Sequence, residues 1–306
     1  MQRKRIWASV AFVLLAALAI SQAQEEQVDY LDVFSVDVKP EKRAEFDAIA
    51  KKMVSANRQN GGDAWLTMET AYGPSNRVMF VSTRHSYADV EKATGAFFGA
   101  LQKAYGKAGT DKMFQDFNQC VVSSRGELRR RRWDLSSNAP KDAAAYAKLV
   151  GEARWLRTTA VHVRPGQIAA FEAILKDLKA AREKSDPSTP VLVSQAVAGQ
   201  EGTVFYVTTL QNSMAGFDTI PSLQKVLGEE GYDKFLKASA EAVTTAETMI
   251  NRFLPELSNA PQEIAAVAPD YWTPKTGGAV SAKAKPSKGP AVKASETEKM
   301  AEKDKQ

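Results

Sequence analysis

The 306-residue chain has one cysteine, Cys120, and two histidines, His85 and His162. One thiol excludes a disulfide framework. Two imidazoles leave little material for a histidine-rich metal site or a Ser-His-Asp triad. The sequence has no CxxCH haem-attachment motif, no phosphate-cradling glycine loop and no GxSxG turn. Net charge is scarce once the ends are set aside. Of the formal +5, Arg3, Lys4 and Arg5 carry +3 and residues 276–306 another +3, so the body stands at −1. The basic balance therefore belongs to the termini and gives no ground for a nucleic-acid partner of the folded part.

What is present begins with those termini. A basic start is followed by the 15-residue apolar run Ile6 to Ile20 and then by Ser21-Gln22-Ala23, with small residues at the −3 and −1 positions. This pattern predicts a signal peptide over 1–23, cleavage before Gln24, and a periplasmic or secreted protein. The run is shorter than the roughly 20 residues a bilayer needs. From Thr276 onward, 21 of 31 residues are Ala, Gly, Pro, Ser or Lys, with no aromatic. That composition predicts a disordered tail over 276–306, either a solubilising spacer or a lysine-rich contact to anionic envelope polymers.

The body is an internal duplication. The segment beginning Leu101-Gln102-Lys103 returns at Leu223-Gln224-Lys225 with 7 of 12 positions identical, where chance gives about one. Val38-Lys39-Pro40 answers Val163-Arg164-Pro165, and Ser137-Asn138-Ala139-Pro140 answers Ser258-Asn259-Ala260-Pro261. This places one repeat at 28–140, a surface linker at 141–153 and a second repeat at 154–261. Each repeat opens with an alternating strand, Tyr30 to Val38 or Trp155 to Val163. A helix follows, with a proline near its first turn and, in the first repeat, Phe46, Ile49, Ala50, Met53 and Val54 at helical spacing up to the stop at Gly61-Gly62. Two strands come next, then a helical region broken at the glycines of the repeated motif, and a last strand near 128–135 or 249–254. The order β-α-β-β-α-β is the ferredoxin-like arrangement.

Such a sheet carries helices on one face and leaves the other bare, and two copies can cover each other. On this order and duplication, over about 230 residues, the chain resembles the dimeric α+β barrel superfamily. That superfamily includes antibiotic-biosynthesis-monooxygenase-like and NIPSNAP-like domains. The resemblance implies an α+β fold in which two ferredoxin-like repeats pair sheet to sheet as an intramolecular pseudo-dimer, with a small cavity beside each sheet. It implies no single activity. The superfamily's two-repeat haem binders use a histidine on a helix, and neither histidine here lies within a predicted helix, so no cofactor is assigned.

The duplication also supplies the site candidates. Asp37 and His162 occupy matching positions near the ends of the first strands. Alternation sets them on the faces opposite the more apolar side; if that side packs on the helices, both look into a shared cavity as a general base beside a carboxylate, against the alternative of solvent-exposed strand ends. Glu69 and Gln195 match at mid-strand and are a second pair of cavity candidates, against the alternative of an exposed strand position. Arg129 to Arg132 run through the last strand of the first repeat, two to each face. Arg129 and Arg131 are the cavity candidates of an anion site for a carboxylate-bearing ligand, against the alternative of a charged, solvated sheet edge. Cys120 is read as a packed helix residue and His85 as a surface or capping one, and no metal site is assigned. The function these features predict is binding of a small lipophilic or aromatic molecule in a cavity between the repeats, without a catalytic motif. The alternatives are a non-enzymatic envelope module and a cofactor-independent oxygenase or isomerase.

Overall fold

Alternating half-buried residues build β1 (Tyr30–Val38), and Pro40 then opens a short 3-10 turn leading into α1 (Arg43–Asn60). The computed structural model describes residues 29–186 and 188–274, so the predicted signal peptide (1–23) and tail (276–306) lie outside the described residues. The chain continues through β2 (Leu66–Tyr72), β3 (Arg77–Arg84), α2 (Tyr87–Cys120), β4 (Val121–Arg131) and α3 (Ala143–Glu152). The second half follows as β5 (Trp155–Val163), α4 (Ile168–Ser185), β6 (Leu192–Ala198), β7 (Thr203–Gln211), α5 (Leu223–Ala242) and β8 (Val243–Phe253). Two short helices close the described chain, α6 (Gln262–Ala265) and α7 (Pro269–Trp272).

Local chemistry sets several of these boundaries. The Ser86 side chain accepts from the Asp89 amide at 3.2 Å to start α2, and Ser222 accepts from the Lys225 amide at 3.3 Å to start α5. The repeated motif bends both helices at the same place. Gly106 (φ 68°) and Gly228 (φ 70°) take a left-handed conformation that costs a side-chain-bearing residue dearly.

The eight strands form one closed antiparallel barrel in the order β1-β3-β2-β8-β5-β7-β6-β4. Each half contributes four adjacent strands. The halves join along two seams, β2 with β8 (Met68 opposite Phe253) and β4 with β6 (Arg131 opposite Ser194). The expected α+β pairing of two ferredoxin-like sheets is thus realised edge to edge, with both bare faces turned into one lumen and the long helices outside. Leu31, Val33, Leu66, Met68, Met79 and Leu156 fill that lumen. Outside, Val36, Val38 and Val78 pack with α1 and α2 around Phe46, Leu101 and Phe117, while Val161, Val163 and Phe205 pack with α4 and α5 around Phe171 and Ile174.

Three expectations are corrected here. β4 is hydrogen-bonded on both sides, to β1 and to β6, so the arginine run is not a sheet edge. The last strands start earlier than their apolar pattern indicates, at Val121 and Val243, because their first halves project with exposed side chains; residues 132–135 lie beyond the strand. The segment 141–153 is not a surface linker but contains α3, capped by Asp142 on the Ala145 amide at 2.7 Å. Its Ala147 and Val150 are buried against Leu66, Met68, Leu156 and Phe253. Helix α3 therefore plugs one end of the barrel, and Trp272 of α7 wedges in beside it with its indole N–H donated to the Gly151 carbonyl at 2.9 Å.

Candidate functional site

The plugged lumen leaves little room. Its cavity is about 110 Å³, less than the roughly 150 Å³ that holds one benzene. Larger spaces lie between the sheets and the helices: about 390 Å³ beside the first sheet and about 680 Å³ beside the second. Only the latter falls well inside the roughly 300–1,000 Å³ range of small-molecule sites. A further cleft of about 800 Å³ lies outside the plugged rim, lined by charges of both signs including Arg84, Asp29, Asp134 and Asp142.

The difference between the two sheet-side cavities follows from the sequence. Counted from Leu101 and Leu223, Phe114 of α2 becomes Leu236 in α5 and Phe117 becomes Ser239. Phe97 and Phe98, which line the first cavity, lie in the part of α2 that precedes Leu101. In the second half a short 3-10 turn, Met214–Thr219, precedes α5 instead. Aromatic volume lost over β5 and β7, only partly returned by Phe235 where the first half has Met113, thus becomes cavity, walled by Val161, Phe171, Ile174, Leu175 and Val207. Helix α5 covers it lightly: only Val226 and Ala242 of its residues are buried, and Leu236 is 47% exposed.

The sequence candidates fall in three places. Asp37 and His162 sit at the same rim of the barrel, on strands half a turn apart, and they do not meet. Asp37 is held by Arg77 (Nε–Oδ1 2.8 Å) and accepts from Ser123 Oγ at 2.6 Å. The Arg77 hydrogen bond, with the help of Ser123 and against a burial penalty, keeps its carboxyl below the ordinary value. Among the described residues no hydrogen bond or ion pair joins it to His162, so the pair assembles no acid–base dyad.

Glu69 and Gln195 face the helices rather than the lumen, because Met68 and Ser194 take the inward positions beside them. Glu69 pairs with Arg43 of α1 at 2.7 Å and with Arg252 of β8. Gln195 accepts from Arg132 at 2.9 Å, and the same guanidinium reaches Glu172 of α4 at 2.6 Å. These matched clusters tie helices to the seams and use up the candidate groups.

Arg129 and Arg131 do face the lumen. Arg129 grips Glu127 through two bonds of 3.0 and 2.9 Å and lies 3.5 Å over the Tyr206 ring. Arg131, 7% exposed, donates to the Tyr146 hydroxyl and stands over the rings of Tyr146 and Trp133. The Glu127 side chain is 4% exposed. Burial alone would raise its carboxyl, but Arg129, with hydrogen bonds from Tyr206 and Gln200, holds it below the ordinary value. The folded state therefore favours the carboxylate. That contribution is complete above about pH 4.3 and is lost as pH falls through the lower folded value. Glu127→Gln is expected to lower stability at neutral pH and to flatten its loss below about pH 4.3, as read by urea unfolding at a series of pH values; an unchanged slope would show the ion pair to be idle.

Cys120 is buried against Phe46 and Phe117, and burial pushes its thiol up, as befits a packing residue. His85 lies at the start of α2, where its ring contacts Asp29 at 2.9 Å and its amide donates to the Asp89 carboxylate at 3.0 Å.

Sequence reasoning missed Arg157, Arg182, Ser137 and Thr209, all of which line the large cavity. The signal was available in the duplication. Arg182 stands where the first repeat has Asn57 and Arg157 where it has Asp32. Thr209 takes the place of Ser82 by strand pairing, since Asp32 lies opposite Ser82 and Arg157 opposite Thr209, whereas the sequence alone matches Ser82 with Thr208.

A closed barrel built from two β-α-β-β-α-β halves, helices outside and cavities beneath them, defines an α+β barrel protein. No family model matches the chain, and no curated protein does. Similar solved structures include an anthrone oxidase-like protein, 12% identical over 75% of this chain and 92% of the other (TM-score 0.48). A provisionally assigned monooxygenase from Lactobacillus acidophilus is 9% identical over 74% of this chain and 94% of its own (TM-score 0.43). A mutant chlorite dismutase from Candidatus Nitrospira defluvii is 11% identical over 75% and 91% (TM-score 0.41). The architecture assigned here rests on the strand order of this chain, and its chemistry on its own side chains.

Proposed function

We propose that the protein binds a small lipophilic molecule in the cavity between the second sheet and helices α4 and α5. The observation that carries this is the inequality of the three cavities that adjoin the sheets, the larger cleft at the rim being lined by charges of both signs. About 680 Å³ walled mainly by aliphatic and aromatic side chains lies in the second half, against about 390 Å³ in the first and about 110 Å³ between the halves. The binding place thus moves from the lumen between the repeats to the flank of one of them. With residues 1–23 read as a signal peptide, binding takes place in the periplasm or outside the cell, and the lysine-rich tail serves as the contact to anionic envelope polymers.

The neutral fluorophore N-phenyl-1-naphthylamine tests the reading. It is expected to brighten on binding to the purified protein, and Leu178→Trp, which places an indole in the cavity, is expected to weaken binding about tenfold or more. A far-ultraviolet circular dichroism spectrum unchanged by the substitution separates blocking from misfolding. No binding by the wild type, or equal binding by a folded Leu178→Trp, rules out this cavity.

A further inference from the structure

The large cavity is apolar along its walls and cationic at one end. Arg157 of β5 and Arg182 of α4 both line it. Neither guanidinium has an ion pair or a side-chain hydrogen bond among the described residues; Arg157 only faces the Phe217 ring, at 5.4 Å. Among the described residues, buried Nη1 of Arg182 makes no hydrogen bond, and neither does Oγ of Ser137 or Oγ1 of Thr209, residues that are 2% and 6% exposed. Buried polar groups are nearly always paired. Three unpaired ones around a single cavity point to a partner that enters it. Lys179 lines the same end, although its ammonium is engaged by the Trp133 and Asp134 carbonyls at 3.4 and 3.2 Å.

The first repeat provides the control. There Asn57 is fully used, donating to the Met53 carbonyl at 2.9 Å and accepting from the Asp63 amide at 3.0 Å. Ser82 donates to the Ala64 carbonyl at 2.9 Å. Asp32 faces Arg84, which is itself closed off by Asp63 at 2.6 Å. The same three positions are satisfied and charge-balanced in one half, and unsatisfied with two cations in the other. Asp186 is the carboxylate whose charge Arg182 senses, but it stands beyond ion-pair reach; its Oδ1 accepts from Ser188 Oγ at 2.8 Å, and its buried Oδ2 has no hydrogen bond among the described residues. Burial holds the Arg182 guanidinium below its ordinary value, Asp186 offsets part of this, and Arg157 adds to it.

We infer that the ligand of this cavity is an apolar molecule carrying one carboxylate, its oxygens received by Arg182 with Ser137 and Thr209 as further donors and Arg157 as a second cation. The planar guanidinium fork matches a carboxylate in geometry and charge, and the aliphatic walls take the hydrocarbon body. This rests on the binding role proposed above and adds the chemical class of what is bound.

Displacement of N-phenyl-1-naphthylamine by decanoate and by 1-decanol, on the same full-length protein at about pH 8 where the acid is ionised, tests it. The wild type is expected to bind the acid about tenfold or more tighter than the alcohol. In Arg182→Met that ratio is expected to fall to about threefold or less, since the cation facing the head group is gone. Equal displacement by acid and alcohol in the wild type, or an unchanged ratio in Arg182→Met, overturns the inference. If Arg182→Met fails to fold, the near-isosteric Thr209→Val, expected to reduce the ratio in part, and the wild-type ratio itself still decide. A wild type that binds the fluorophore but shows no preference refutes the carboxylate alone, whereas one that binds no fluorophore refutes the cavity as a binding site.

Discussion

Trp272→Ala is expected to remove about 3–5 kcal/mol of unfolding free energy, the cost of emptying a filled aromatic site. Trp272 is 0% exposed, lies edge-on to Phe253 with ring centroids 5.2 Å apart, and anchors its indole N–H on Gly151 of α3. Truncation would leave a cavity among Phe253, Val150 and Ile264 and a buried Gly151 carbonyl without its donor. A domain of this kind is stable by about 5–15 kcal/mol, so the loss takes a large fraction of the whole. Urea unfolding followed by circular dichroism measures it. A loss below about 1 kcal/mol would mean that residues 262–274 do not seal the barrel end. The effect is expected far from the proposed cavity, and fluorophore binding by the folded fraction of the variant should persist.

Residues 24–140 expressed alone are expected to dimerise or aggregate. The isolated half keeps its β-α-β-β-α-β order but loses the partners of both seam strands, β8 for β2 and β6 for β4. Two rows of unpaired amides and carbonyls then face water, which is the usual route to edge-to-edge association. Leu31, Val33, Met68 and Met79 lose their covering at the same time, at about 25 cal/mol for every Å² of apolar surface returned to water. Light scattering after gel filtration distinguishes the outcomes. A stable monomer would show that the seams contribute little, and a symmetric dimer would show that the first half can substitute for the second at both.

Much of this architecture was legible in the sequence. Half-buried alternation set β1 and β5 to the residue, and the repeated glycines marked the bends in α2 and α5. What was not legible depended on closure of the barrel. Alternation paired Glu69 with Gln195 correctly, but it could not say that this face turns toward Arg43 and Glu172 rather than the lumen. Helix α3 escaped because Ala and Lys dominate 141–153, and its two apolar contacts gain meaning only from the distant Leu156 and Phe253 across the barrel end. The arginines at 157 and 182 escaped for a different reason. A sequence shows which polar residues differ between the repeats, but not that the groups are paired in one half and unpaired in the other, nor that the change of Phe117 to Ser239 opens space beside them.

The light covering of the larger cavity has a kinetic meaning. Helix α2 buries Ala100, Leu101, Thr110, Met113, Phe117 and Cys120, whereas α5 buries only Val226 and Ala242 and otherwise packs through half-buried side chains such as Phe235 and Ala238. Segments held by few buried contacts detach in partial fluctuations far cheaper than global unfolding. The bend at Gly228 divides α5 so that its two limbs need not lift together. Entry and exit of a guest can then proceed while the barrel stays closed, with the residence time set by the detachment of one limb and not by the stability of the whole protein.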